Sequence, residues 1–99
     1  MSNDVQVKFD ELKILEEIKE YILGTYGEHY VGMNNVQVMD LLMANPPSAL
    51  EFSRGCCVKY VMRYGKKGGF NRKDLLKVAH YIIFMLKCDD DRRHYSETE

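Results

Sequence analysis

The chain has 99 residues, 45% of them hydrophobic and 29% charged, so it is long enough for one domain with a single core and too apolar to be disordered throughout. Its three cysteines cannot all pair, and no Cys or His spacing typical of a zinc site is present. The longest apolar run in a predicted helix has six residues and the first residues are polar, which indicates a cytoplasmic protein with no membrane partner.

Charge is distributed unevenly along the chain, although the formal net charge is only −1. Residues 1–50 carry three Lys against eight acidic residues, and residues 89–99 carry two Arg against five. Residues 51–88, by contrast, carry nine Lys and Arg against two acidic residues. A basic segment between acidic ones favours binding of a small anion, or head-to-tail pairing of two copies. It argues against a nucleic acid as partner, because an extended nucleic-acid surface normally requires more positive charge overall.

The first predicted helix is amphipathic. Residues 1–8 lack a helical pattern and are expected to form a flexible or extended arm, with a short N-terminal strand over residues 5–9 as the alternative. Asp10 can cap a helix that reaches about Thr25, where a pair of glycines closes it. Its predicted core stripe consists of Leu12, Ile14, Leu15, Ile18, Tyr21 and Ile22.

Two further helices are predicted around a proline pair. Asn35 can cap a short second helix, which the prolines at positions 46–47 stop. Ser48 and Glu51 then stand in the S-x-x-E relation of a capping box, which predicts the start of a third helix that reaches about Tyr64.

The connection at residues 65–71 is short, glycine-rich and basic. Gly65 is predicted to end the third helix, and Asn71 is predicted to cap the fourth. The fourth helix has an apolar stripe that consists of Leu75, Val78, Ala79, Ile82, Met85 and Leu86. Residues 89–99 have little to bury and are expected to form a solvated acidic tail.

These elements predict an all-α fold, a compact bundle of about four helices. The domain covers residues 9–88, between the arm of residues 1–8 and the tail of residues 89–99. A chain of this size buries roughly 65% of the surface that its unfolded form exposes, so a homo-oligomer is expected to supplement its small core.

The strongest candidate site is a group of cations around the glycines of the connection: Lys59, Arg63, Lys66, Lys67, Arg72 and Lys77. Lys59 and Arg63 are one helical turn apart, so they project from one face toward the end of the third helix. Free N–H groups at the start of the next helix attract anions, and glycine lets a phosphate approach the backbone closely. The alternative is that these cations only complement the helix dipole or are solvated. The segment is not a P-loop, because the spacing G-x-x-x-x-G-K-[ST] is absent.

Other side chains could carry chemistry, and each has a structural alternative. His29 lies in a predicted loop, where proton transfer is the favoured role, whereas His80 lies beside core positions of a helix, where a structural role is favoured. Asp40 and Asp74 could orient a sugar hydroxyl or hold a metal ion, although carboxylates at helix starts are usually structural. The cysteine pair at positions 56–57 lies near cations that could activate a thiol, but core packing is the favoured role.

Several of these residues occur in a recognisable order: His29-Tyr30, then Gly55, Lys59-Tyr60, Arg63 and Lys67, then Asp74-Leu75, Lys77 and Tyr81. The order resembles a family of small bacteriophage proteins, often called SaV-like, whose domain also occurs in a coliphage nucleotide kinase. The family pattern is a His-Tyr pair, then Gly-Asn-x-x-Lys-Tyr-x-x-Arg-x-x-x-Lys, then Asp-Leu-x-Lys-Ala-x-x-Tyr. The resemblance covers about residues 29–86. The chain departs from the pattern at Cys56, where the family has Asn, and at Val78, where the family has Ala.

The resemblance implies a phage nucleotide-binding protein, and a small kinase that transfers phosphate from ATP to deoxynucleoside monophosphates, with the need for Mg²⁺ left open. In that hypothesis the six cations named above bind phosphates, and the catalytic residues are His29, Arg63 and Asp74. The nucleotide would contact His29, Tyr30, Tyr60 and Tyr81. The alternative is a non-enzymatic phage early protein that binds a host protein or sequesters a signalling nucleotide. Either protein would act in the cytoplasm of the host cell.

Overall fold

The structure is a computed structural model that describes residues 5–29 and 38–98, and four α-helices occur in those residues. They are α1 (Glu11–His29), α2 (Val38–Met43), α3 (Pro46–Arg63) and α4 (Arg72–Thr98). The predicted all-α fold is confirmed. No strand occurs in the described ranges, and residues 5–9 form none because no neighbouring strand is there to accept their hydrogen bonds. Within the same ranges, none of the helices combines the length and apolar character that a membrane crossing requires.

α1 begins where the sequence predicts but ends later. Asp10 has a left-handed backbone with φ 61°, and its carbonyl accepts the first helical hydrogen bond from the N–H of Ile14 at 2.9 Å. The helix passes both glycines of the predicted stop and ends at His29, beyond the expected end near Thr25. A glycine inside a helix costs about 1 kcal/mol relative to alanine, which weakens a helix without ending it. The cap predicted for α2, Asn35, lies outside the described residues.

α3 starts earlier than Ser48, the predicted start. Pro46 and Pro47 occupy its first turn, where their missing N–H groups cost no helical hydrogen bond. Asn45 is the cap, because its side-chain oxygen accepts a hydrogen bond from the N–H of Ser48 at 3.4 Å. The proline pair therefore follows α2 and also opens α3, and the predicted capping box of Ser48 and Glu51 is not the start of the helix.

The turn between α3 and α4 is as predicted. Gly65 ends α3 with φ 82°, a backbone conformation that residues with a side chain rarely adopt. Its N–H donates to the carbonyl of Gly69 at 2.9 Å, which closes the turn. Asn71 then caps α4 by accepting a hydrogen bond from the N–H of Lys73 at 3.0 Å. The end of α3 and the start of α4 consequently lie side by side.

α4 does not end at residue 88 but continues through the acidic segment to Thr98. Asp89 accepts hydrogen bonds from Arg92 at 2.8 Å and from Arg93 at 2.6 Å, three and four residues further along. Ion pairs at this spacing stabilise a helix that is exposed to water. The boundary predicted at residue 88 is therefore not a break in the fold, since the predicted tail extends α4.

α3 and α4 run antiparallel and form the body of the fold. Arg63 at the end of α3 meets Asp74 in the first turn of α4, and further along Cys57 Sγ lies 3.9 Å from Met85 Sδ. α1 packs against α4, and α2 packs against α3. The α3–α4 hairpin therefore positions the other two helices.

Few of the predicted core residues are deeply buried. Among the hydrophobic residues of the described ranges, only Ala49 and Cys88 are buried. The predicted stripe of α1 is incomplete as a core, because Leu12 and Leu15 are each more than half exposed. In α4, the residues of the predicted stripe that are more than 40% exposed are Leu75, Ile82 and Leu86. The stripes exist as the sequence predicts, but a single chain leaves part of each uncovered.

Candidate functional site

Arg63 is paired with the buried Asp74. The Nε atom of Arg63 lies 3.7 Å from Oδ1 of Asp74, and Asp74 is only 1% exposed. Asp74 lies in the first turn of α4, where the helix dipole favours a negative charge. Arg63 Nε and Asp74 Oδ2 have no hydrogen-bond partner among the residues that the structure describes. The pair joins α3 to α4. The buried carboxylate of Asp74 depends on Arg63, because a buried charge without a partner is costly, whereas Arg63 itself is 39% exposed.

Arg72, the first residue of α4, is paired with Glu17 of α1. Its Nε and Nη2 atoms donate to the two carboxylate oxygens of Glu17, each at 2.6 Å. The hydrogen bonds from Arg72, together with its charge, hold the pKa of Glu17 below the ordinary value. Both side chains lie at the surface, so the pair orients α1 against α4 more than it stabilises the fold. A carboxylate of the same chain thus faces Arg72, which the sequence predicts as a phosphate ligand.

Lys59 and Lys77 lie over an aromatic ring. Their Nζ atoms are 5.1 Å and 4.8 Å from the centroid of the Tyr60 ring. Tyr60 also stacks with Tyr81 of α4, with 6.2 Å between ring centroids and 13° between ring planes. An aromatic face attracts a cation at this distance but does not neutralise its charge. Neither lysine forms an ion pair with a described residue, so both charges can act on an anionic ligand.

A pocket of about 240 Å³ with aromatic walls lies next to Lys77. All four helices contribute to its lining, which consists of Tyr21, Thr25, Met39, Tyr60, Lys77, His80, Tyr81 and Phe84. Apolar walls with a few polar groups are typical of small-ligand sites. Tyr60, Lys77 and Tyr81 are predicted from the sequence as site residues, whereas the contributions of α1 and α2 and of Phe84 are not. One feature of the sequence could have indicated Phe84. It follows His80 by four residues and Tyr81 by three, so the three aromatic side chains share one turn of α4.

His80 forms part of the pocket wall and is 9% exposed. Its ring stacks on Phe84, with 4.7 Å between centroids, and meets the ring of Tyr21 edge-on at 6.2 Å. Burial lowers the pKa of His80, so its imidazole is uncharged at neutral pH. This packing agrees with the predicted structural role, and the position in the wall also lets the ring contact a ligand.

The remaining predicted residues lie apart from the pocket or outside the described residues. Lys66 and Lys67 are exposed in the turn and form no ion pair with a residue in the described ranges. His29 is the last residue of α1, and its side chain lies outside the described part of the chain, as does Tyr30. The six predicted cations therefore fall into three groups. Lys59 and Lys77 face an aromatic ring, and Arg63 and Arg72 are paired with carboxylates. Lys66 and Lys67 lie in the open turn.

The described residues contain no group of three or more His, Cys, Asp or Glu side chains that could hold a metal ion. All three cysteines are free. Burial raises the pKa of Cys57 and of Cys88. A raised pKa favours the neutral thiol, which agrees with packing rather than nucleophilic chemistry.

A larger cavity, of about 440 Å³, lies at the other end of the α3–α4 hairpin. Its lining comes from the start of α3 and from residues 88–92 of α4, and it is mostly apolar. None of the predicted site residues lines it, so the aromatic pocket is the better candidate for the site.

The hairpin and the pocket beside it define the chain as a small all-α domain with a ligand-sized site. Residues 25–83 match the model of DUF3310, a family of proteins of unknown function, and the chain belongs to this family. The match includes the whole pocket lining except Tyr21 and Phe84. No curated protein and no solved structure matches the chain significantly.

Proposed function

We propose that this protein binds a nucleotide at the aromatic pocket, with the base against Tyr60 and Tyr81 and the phosphate near Lys77. The proposal rests on one observation: the Nζ atom of Lys77 lies 4.8 Å from the centroid of the Tyr60 ring, at a pocket with aromatic walls. A nucleobase stacked on an aromatic side chain gains about 1–3 kcal/mol, and a phosphate needs a cation within reach. An aromatic wall beside a lysine suits both halves of a nucleotide.

The volume of the pocket restricts which part of the nucleotide it can enclose. At about 240 Å³ it is smaller than the roughly 300–1,000 Å³ of pockets that bury a whole drug-sized ligand. A base, or a base with its sugar, would fill it, and the phosphate would extend to the edge near Lys77 and Lys59. This favours a nucleoside monophosphate as the ligand of the pocket.

The proposed activity is phosphoryl transfer from ATP to a deoxynucleoside monophosphate, in line with the resemblance to the phage family. Such a transfer depends mainly on placing two nucleotides and neutralising their phosphates. ATP would supply the phosphoryl group. Lys66 and Lys67 are free of carboxylate partners among the described residues and are the cations proposed for its phosphates. Arg63 could assist through its Nη groups, because only its Nε lies against Asp74 and its side chain is 39% exposed.

A second candidate is a protein that binds without catalysis, either sequestering a signalling nucleotide or binding a host protein. The pairing of Arg63 and Arg72 with carboxylates favours it, because these arginines would otherwise be the side chains best suited to stabilise transition-state charge. Both candidates belong in the cytoplasm of a phage-infected cell.

Two measurements on the full chain test the proposal. Titration calorimetry with ATP and a panel of deoxynucleoside monophosphates measures binding, and incubation with radiolabelled ATP measures transfer. Lys77→Ala is expected to weaken monophosphate binding about tenfold or more, because it removes a charged hydrogen bond. Lys87→Ala removes the same charge from an exposed position of α4 outside the pocket and should leave the affinity unchanged. Binding without a labelled diphosphate product would select the second candidate, and binding of no nucleotide would reject the proposal.

A further inference from the structure

His80 is the most deeply buried residue of the aromatic pocket. It is 9% exposed, whereas every other residue of the pocket lining is half-buried. The imidazole stacks on the ring of Phe84 and meets the ring of Tyr21 edge-on. These two contacts fix the orientation of the imidazole, so the small part of it that stays accessible lies at the inner end of the pocket.

The ring nitrogens of His80 are available to a ligand. No residue in the described ranges forms a hydrogen bond with either nitrogen. The described residues that have a fully buried polar atom without a partner are Ser53, Arg63 and Asp74, and His80 is not among them. A neutral imidazole has one N–H donor and one nitrogen that accepts, and a hydrogen bond at one nitrogen normally determines which is which. Since no described residue makes that choice, His80 can donate to a carbonyl or accept from an amino group.

The hydroxyl of Thr25, a second polar group of the lining, is already used as a donor. Its Oγ1 donates to the carbonyl of Ile22 at 2.7 Å. Because a hydroxyl has a single proton, Thr25 can only accept a hydrogen bond from a ligand. The lining therefore offers one fixed acceptor and, at His80, one group of either kind. The edge of a nucleobase, which carries both N–H groups and acceptors, is complementary to this set.

We propose that His80 forms a hydrogen bond with the edge of the nucleobase and thereby determines which base the pocket prefers, an inference that rests on the proposed nucleotide binding. Lys77 precedes His80 by one turn of α4, so a nucleotide whose phosphate lies near Lys77 can place its base beside His80. Stacking on Tyr60 and Tyr81 tolerates any base, because every base has an aromatic face. Discrimination between bases therefore depends on hydrogen bonds at the base edge, where an unmatched polar group in a buried site is costly.

Two replacements of His80 separate hydrogen bonding from packing. His80→Phe keeps an aromatic ring between Phe84 and Tyr21 and removes both nitrogens, whereas His80→Gln keeps a donor and an acceptor and removes the ring. Titration calorimetry of the full chain with four deoxynucleoside monophosphates measures both variants. His80→Phe is expected to weaken binding of the preferred monophosphate about five- to tenfold and to narrow the differences among the four. His80→Gln is expected to bind within about threefold of the wild type.

A purely structural histidine predicts the opposite order of the two variants. His80→Phe would then bind as the wild type does, and His80→Gln would bind more weakly. That order, or an equal loss in both variants, overturns the proposal. A wild-type chain that binds no nucleotide rejects the proposed function itself, whereas nucleotide binding that is unaffected by His80→Phe rejects only the role of His80.

Nitrogen-15 NMR of the wild-type chain provides the test if a variant fails to fold. The shifts of Nδ1 and Nε2 in a chain labelled at histidine report which nitrogen carries the proton, and the His80 ring is assigned through its proximity to Phe84. Saturation with the preferred monophosphate is expected to move the two resonances to those of a single tautomer. Deoxyribose 5-phosphate, which has no base, is the control and should leave them in place. His80 resonances that do not move when the nucleotide binds overturn the proposal.

Discussion

The turn between α3 and α4 and the aromatic pocket beside it both carry positive charge, but they hold it differently. At the turn, Arg63 and Arg72 each face a carboxylate of the same chain. At the pocket, Lys59 and Lys77 lie over the ring of Tyr60. A carboxylate neutralises a cation, whereas an aromatic face only positions it. The arginines therefore hold the helices together, whereas the lysines remain available for the proposed ligand.

Arg63→Met tests the structural half of this comparison and should have the largest effect. It leaves the carboxylate of Asp74, which is 1% exposed, without its counter-charge. Only the carboxylate is buried, since Arg63 is 39% exposed, so the variant should lose about 2–3 kcal/mol of the free energy of unfolding, less than a fully buried ion pair would cost. Urea denaturation followed by circular dichroism measures this loss. Methionine is the chosen replacement because it retains an apolar stem similar to that of arginine.

The double variant Arg63→Met with Asp74→Leu is the control for that loss. Replacing both charges by apolar side chains leaves no unpaired charge, so most of the lost stability should return. Unchanged stability in the single variant, together with lost nucleotide binding, would make Arg63 a ligand of the phosphate and remove the distinction between arginines and lysines.

Tyr60→Ala tests the ligand-binding half of the comparison. Loss of an aromatic wall should weaken nucleotide binding by about 1–3 kcal/mol, the contribution of one base stack. Titration calorimetry on the folded variant measures the change. Tyr60→Phe keeps the ring and should bind as the wild type does. Equal affinity of the alanine variant and the wild type would place the base away from this pocket.

Features that depend on neighbouring residues could be predicted from the sequence. The turn at Gly65, the cap at Asn71 and the presence of four helices follow from residues a few positions apart, and helical periodicity and capping rules describe such relations. The ends of α1 and α4 were predicted too early. Glycines and acidic residues only weaken a helix, and packing or side-chain pairs can carry the helix past them.

Features that join distant residues could not be predicted. Glu17 and Arg72 are 55 positions apart, and no local pattern connects them. The pocket draws its lining from all four helices, so the contribution of Tyr21 depends on how α1 packs against α4. The exposed Leu75 and Ile82 show a related limit, because periodicity predicts which side of a helix is apolar but not what covers that side.

Gly65→Ala tests how firmly the turn holds the two helices. It should lower stability less than Arg63→Met does. The residue has φ 82°, and a Cβ atom there would lie 2.7 Å from Cε1 of Phe70. A left-handed backbone costs a residue with a side chain about 1–2 kcal/mol, and the ring of Phe70 must also move. Thermal denaturation measures the loss. Gly55→Ala is the matched control, because nothing lies within 4 Å of the added Cβ inside α3, and it should raise stability by up to about 1 kcal/mol. Equal changes at both glycines would show that the turn is not strained.

The pH dependence of stability tests the pocket wall. Burial lowers the pKa of His80, so below its ordinary value of 6.5 the unfolded chain binds a proton that the folded chain does not. Stability from the uncharged imidazole is therefore complete above that value and falls as the pH drops toward the lower pKa of the folded state. Urea denaturation between about pH 7 and pH 5 measures this slope. His80→Gln should flatten it, and an identical slope in the variant would assign the titration to another group.

Glu17→Gln should have the smallest effect on stability. The pair of Glu17 with Arg72 lies at the surface, where water and salt screen it, so the melting temperature should fall slightly at low salt and not at high salt. ATP should bind more tightly to this variant, because Arg72 loses its carboxylate partner and becomes available beside the turn. Glu20→Gln removes the same charge from the exposed side of α1 and should change neither quantity. Weaker ATP binding in the Glu17 variant would mean that Glu17 orients Arg72 toward the phosphate, and the turn would then belong to the ligand site together with the pocket.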